Sequence, residues 1–204
     1  MEKGKTFALS RMESFSDGVL AVIITIMALE LKAPNIIGNF HVNALMPLLP
    51  KIASYAIAFA FVGSSWINHL FALRDIWRAT LKLFWLNLLF LFCTSLIPFT
   101  TAFLGDHPSL PFAVAMWGAS ASFTAFTLHL MYKEAHREQP YERWSRRQNM
   151  ISMLMAVGCI ITAFLSVYLA WSLLFLAFSL SVLPATIGRR IFSTKGELDI
   201  HLNS

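Results

Sequence analysis

Charge is what this 204-residue chain most lacks: Asp, Glu, Lys and Arg make up 13% of it, where a soluble domain carries about 25%. That shortage excludes an ordinary water-soluble globule, because 57% of the residues are hydrophobic and they gather into long runs. Cysteine is scarce as well. Cys93 and Cys159 each lie inside an apolar run without metal-ligand spacing, so both read as small buried hydrophobes and no disulfide framework is implied. There is no glycine-rich phosphate loop, no metal-ligand cluster of recognised spacing, and no Ser/His/Asp set at one shared depth. These absences argue against an enzyme and imply no cofactor.

What is present is the pattern of an all-α membrane protein that passes the bilayer several times. The mean hydropathy is +0.62. Six transmembrane helices are expected, at about residues 13–31, 47–73, 79–104, 110–132, 150–170 and 173–187. Lys32-Ala33-Pro34-Asn35 ends the first with a charge and a helix breaker. Pro98 predicts a kink or an end of regular helix in the third, and Gly105-Asp106-His107-Pro108 a tight turn after it. Trp171-Ser172 divides the last apolar stretch into two antiparallel spans, since ~20 residues suffice to cross. Residues 1–190 thus read as a single six-helix domain and 191–204 as a cytoplasmic tail. Lys3, Lys5 and Arg11 ahead of the first apolar run imitate a signal peptide. That run is too long for one and has no convincing small-residue cleavage site.

Basic residues orient the spans. With both termini cytoplasmic, the inner segments 1–12, 74–82, 133–147 and 188–204 hold 14 of the 16 Lys and Arg, leaving only Lys32 and Lys51 outside. The net charge of +5 therefore belongs to the inner face. It implies anionic lipid nearby, not nucleic acid. The localisation this predicts is a multi-pass protein of the cell membrane.

Polar residues at membrane depth ask for a reason. Ser16 and Asp17 lie about a turn inside the first span, and Asn68 and His69 about a turn inside the second, measured from the same face. Trp66 lies just above. Asp17, Ser16 and Arg11 are therefore expected to meet His69, Asn68 and Trp66, either as a tie between two helices or as a proton-sensitive latch through His69. Asn87 in the third span reads as a cross-helix hydrogen bond. At ~100° per residue, Val22, Thr25 and Leu29 form one stripe flanked by Gly18 and Ile26. Asp17 projects away from that stripe, toward the subunit interior. Glu30 near Lys32 reads as an interfacial ion pair. A stripe of this kind is ordinary on any membrane helix and does not by itself name a pore.

Arg-x-x-x-Phe-Ser-Asp (Arg11, Phe15, Ser16, Asp17), followed by Gly18 and an apolar run with a threonine, resembles the signature first helix of the prokaryotic relatives of the lysosomal potassium channel, transmembrane protein 175. Trp66-Ile67-Asn68-His69 resembles that family's second-helix element, and Asn87 with Leu96-Ile97-Pro98-Phe99 its third-helix pattern. The resemblance implies a homotetramer whose first helices line a central pore, lacking the TVGYG filter, as this chain does. It implies a potassium-permeable channel, modestly selective over sodium, with self, lipid bilayer and permeant monovalent cations as partners. The stripe becomes the pore row. Val22, Ile26 and Leu29 would be apolar rings able to gate by dewetting, and Thr25 a transient stop on the potassium path. Where the family carries a bulkier isoleucine or leucine this chain has Val22, which leaves Ile23 and Ile26 as alternatives for the tightest ring. A secondary cation transporter, proton-coupled or not, is the competing class. It predicts inverted repeats with Gly/Pro-broken helices in both halves, a pattern not found in the sequence.

Overall fold

The computed structural model describes residues 7–32, 45–46, 48–73, 76, 80–136 and, beyond these, 154, 157–158, 161, 164–166, 169–172 and 176. The described part is helical throughout. Its helices are α1 (Phe7–Leu29), α2 (Leu48–Leu73), α3 (Leu81–Ser95), α4 (Ile97–Asp106) and α5 (Pro111–Ala135). Three lengths are long and apolar enough to cross a membrane: α1, α2, and α3 with α4 taken together. The expected fifth and sixth spans, the basic stretch 137–147 and the tail 191–204 lie outside the described residues, apart from the few positions just named.

The helix faces follow the sequence spacing. On α1 the buried positions are Leu9, Met12, Ser16, Leu20, Ile23 and Met27, separated by three or four residues, which is one face of an α-helix. On α2 they include Ser54, Ala58, Val62, Ser65 and His69, mostly small side chains that let backbones approach closely. α1 begins nearly two turns before the expected start at 13, so Arg11 is inside the helix. It ends in a tighter turn, with Glu30 N–H donating to the Met27 carbonyl at 3.3 Å.

The third expected span, 79–104, is one apolar length, Leu81–Asp106, whose regular helical bonding is interrupted at Leu96, although Leu96 itself keeps right-handed helical dihedrals (φ −81°, ψ −16°). Thr80 caps α3 by accepting from Leu83 N–H at 3.1 Å. α3 stops at Ser95 and α4 restarts at Ile97, with Pro98 in its first turn where a missing N–H is tolerated. Leu96 is the single residue between them. α3 packs chiefly on α5, and α4 chiefly on α2. At its C-terminal end α4 comes so close to α2 that a Cβ on Gly105 would stand 3.1 Å from the Lys51 backbone. The adjacent Asp106 carboxylate pairs with the Lys51 ammonium. α5 supplies the back wall, with Trp117, Gly118, Thr124 and Met131 among its buried residues. Among the described residues α1 touches α2, α3 and α4 along one face, and its opposite face is exposed.

Candidate functional site

Two features of α1 stand out, one on each face. On the buried face Ser16, fully covered, meets Asn87 of α3, which in turn meets His69 of α2. The donors run in one direction. His69 Nε2–H donates to Asn87 Oδ1 at 2.8 Å, an oxygen that only accepts, so the imidazole carries its proton on Nε2. The Asn87 amide N–H donates to Ser16 Oγ at 2.9 Å, and the Ser16 hydroxyl donates to the Met12 carbonyl at 2.8 Å. His69 is stacked on Phe90, with ring centroids 5.3 Å apart. Its Nδ1 is buried without a hydrogen-bond partner. Three helices are thereby fixed to one another at a single level.

Asp17 meets Trp66 as expected, accepting from its Nε1–H at 2.9 Å. It does so exposed, at the seam of α1 and α2, and not turned into the subunit interior as expected. The reason is electrostatic. A neutral hydroxyl with both its bonds made is cheap to bury, and a carboxylate is not, so Ser16 turns inward and Asp17 stays at the edge. Arg11 is exposed and lies over the Phe7 ring, 5.7 Å from its centroid, not beside Asp17. Asn68 enters through its backbone, whose carbonyl accepts from the Tyr132 hydroxyl at 2.7 Å. Asn87, read from sequence as an isolated cross-helix bond, is the hub. Residue counting from the expected span ends did not bring it level, since Asn87 lies deeper inside the third span than His69 inside the second; the helix packing does.

On the open face, Phe15, Val22, Ile26 and Leu29 are exposed by 56%, 55%, 42% and 75%. Thr25 is exposed with them, and its hydroxyl proton is engaged by the Val22 carbonyl at 2.8 Å. Only the oxygen lone pairs of Thr25 are left to face outward. Ile23 is 3% exposed and packs in the core, which removes it from the open stripe. Beside the stripe runs a groove of about 910 Å³ between α1 (Phe15, Gly18, Val22, Ile26) and the α3–α4 junction (Ser95, Pro98, Phe99, Ala102). Glu30 does not pair with Lys32. Their contact is the Lys32 N–H to the Glu30 carbonyl at 2.9 Å, and the ion pair at this end is Lys51–Asp106.

Residues 11–98, which contain Ser16, His69, Asn87 and the stripe from Val22 to Leu29, match the family described as endosomal/lysosomal potassium channel TMEM175. A potassium channel of Chryseobacterium sp. is 31% identical over 180 residues, covering 85% of this chain and 92% of that one. The chain belongs to the TMEM175 family, on its prokaryotic side. A potassium channel of Streptomyces collinus is 36% identical over 98 residues, 48% of each chain. The crystal structure of a lysosomal potassium-selective channel TMEM175 homolog from Chamaesiphon minutus superposes with a TM-score of 0.79 at 25% identity, covering 87% of this chain and 98% of that one. Both faces of α1 therefore lie within the segment that defines membership of TMEM175. Among the described residues no group of three or more His, Cys, Asp or Glu is placed to hold a metal ion.

Proposed function

We propose that this TMEM175-family chain is a potassium-permeable cation channel, modestly selective for potassium over sodium. In this reading it is a homotetramer in the cell membrane, with six spans per chain, both termini cytoplasmic, and α1 lining the pore. The observation that carries the proposal is the open face of α1, where Val22, Ile26 and Leu29 stand exposed around one outward-turned Thr25 oxygen. Four copies of such a face around an axis make apolar rings that expel water when narrow and conduct when wide. They also make one ring of neutral oxygens whose protons are already committed elsewhere. Lone pairs favour a cation over an anion. Neutral hydroxyls replace few waters of hydration, so discrimination between potassium and sodium stays modest. With Ile23 held in the core, Val22 and Ile26 are the residues assigned to the constriction. The Ser16–Asn87–His69 chain and the Asp17–Trp66 bond fix the rotation of α1 that presents this row.

The deciding experiment is bi-ionic potassium/sodium flux from purified protein in liposomes, with the oligomer mass measured on the same preparation. Unitary currents, a reversal potential on the potassium side, and a tetrameric mass are expected. Saturable, gradient-coupled flux without unitary currents would point to a secondary transporter instead.

A further inference from the structure

We propose that the break at Leu96 is an articulation in the wall behind the pore helix, on which the outer half of α1 shifts as the channel opens and closes. The proposal rests on the channel reading above. It starts from a difference in how the two halves of α1 are held. As far as Asp17, α1 is fastened to its neighbours by directed polar bonds, Ser16 to Asn87 and Asp17 to Trp66. From Gly18 to Lys32 no hydrogen bond among the described residues joins α1 to another helix. The Thr25 hydroxyl bonds Val22, and the N–H groups of Glu30, Leu31 and Lys32 bond carbonyls of their own segment. Hydrogen bonds weaken steeply when their geometry changes, whereas apolar contacts are non-directional and let surfaces slide. The inner half is pinned; the outer half, which carries the constriction row, is only packed.

The wall against which that outer half rests is interrupted at the same depth. Ser16 and Asn87 touch, so they share a level. The same number of residues along each parallel helix leads from Ser16 to Thr25 and from Asn87 to Leu96, about 13 Å toward the outer face at 1.5 Å per residue. The groove agrees with this level, since Ser95 and Pro98 line it opposite Val22 and Ile26. Pro98 has no N–H, so it withholds from the Thr94 carbonyl the bond an unbroken helix would make. The Ser95 and Thr100 hydroxyls bond the Phe92 and Ile97 carbonyls on either side.

The two sides of the break share α5 as a support but differ in their chief neighbour. α3 rests chiefly on α5, while α4 is tied to α2 by the Lys51–Asp106 pair and the close approach at Gly105. α2 carries its own soft place, Gly63-Ser64-Ser65, with the Ser64 hydroxyl bonded back to the Phe61 carbonyl at 2.9 Å. Gly/Ser pairs are recognised sites of helix bending, and this one lies within about a turn of the depth of Leu96, counted from His69. α5 runs unbroken behind both segments. Its Trp117 Nε1–H holds α4 at Thr101 Oγ1, 3.0 Å away, and supplies a fixed point about which α4 tilts.

The test is single-channel recording of the reconstituted full chain with two substitutions that act oppositely on the break. Pro98→Ala returns a backbone donor and stiffens it; Leu96→Gly loosens it. Open probability is expected to move in opposite directions, by about fivefold or more in each variant, with unitary conductance and reversal potential as in the wild type. Wild-type open probability in both variants overturns the proposal. So does a change confined to conductance or reversal potential, which would make the break a static part of the pore wall. If Pro98→Ala does not assemble, Leu96→Gly decides by the same criterion. Wild-type protein without unitary currents would instead overturn the channel reading, and this inference with it.

Discussion

Val22 and Ile23 are adjacent and similar in character, yet Val22 is 55% exposed and Ile23 3%. The face to which Ile23 belongs is filled by α2, α3 and α4 and carries the Ser16–Asn87–His69 chain; the face to which Val22 belongs is largely exposed among the described residues and borders the groove at Ser95 and Pro98. The contrast separates two jobs that one helix performs. One face decides how α1 is rotated and held, and its residues are constrained by packing and by hydrogen-bond direction. The other has no helix packed across it among the described residues, which is what the proposed channel reading requires of a pore-lining face. Polar groups on the two faces obey different rules accordingly. Ser16 and Asn87 have partners inside the protein, whereas Thr25 spends its proton on its own backbone and keeps its lone pairs outward.

Substitutions on the buried face should act on stability first. Asn87→Leu leaves the His69 Nε2–H and the Ser16 oxygen without partners, and each orphaned buried group costs about 1–3 kcal/mol. A clear fall in the thermal denaturation midpoint of the detergent-purified protein is expected; an unchanged midpoint would remove the hub role from Asn87. Ile23→Ala should cost about 2–5 kcal/mol, and Val22→Ala one position away no more than about 0.5 kcal/mol, in the same denaturation assay. Equal losses at both positions would erase the distinction between the faces.

Substitutions on the open face should act on permeation first. Val22→Asn is expected to raise unitary conductance by wetting an apolar ring, with the denaturation midpoint held. No rise would take Val22 out of the ion path. Thr25→Ala removes the ring of oxygens. Taking a hydroxyl contact as about 0.5 kcal/mol, the potassium-to-sodium permeability ratio should change about twofold, read from the bi-ionic reversal potential. The smallest effect is expected away from both faces. Lys82, largely exposed, bonds at 2.8 Å a Glu134 carboxylate that is only 9% exposed, so Lys82→Arg, which keeps the charge beside it, should cost less than about 0.5 kcal/mol in the same denaturation assay. A larger loss would place the inner ends of α3 and α5 among the elements that hold α1.

Much of this was readable along the chain. The length and polarity of the apolar runs, the break at Pro98, and the stripe of Val22, Thr25 and Leu29 follow from local rules of helix geometry and proline chemistry. Depth matching brought Ser16 and His69 to one level from residue counts alone. It did not find that Asn87 stands between them, because which of three helices supplies the middle partner depends on how they cross. Nor did it place Asp17 at the seam and Ser16 inside, since rotation about the helix axis is decided by what packs on each side.

The sequence by itself determined that this chain is a helical membrane protein and which residues share the first helix's apolar stripe, because span length and the period of 3.6 residues are properties of the local chain. Only the tertiary structure decided which side of that helix is filled, which of Val22 and Ile23 stays open, and that Ser95 and Pro98 line the groove beside them. Those depend on contacts between residues far apart in the chain, where side-chain volume, hydrogen-bond direction and the cost of burying a charge are settled together.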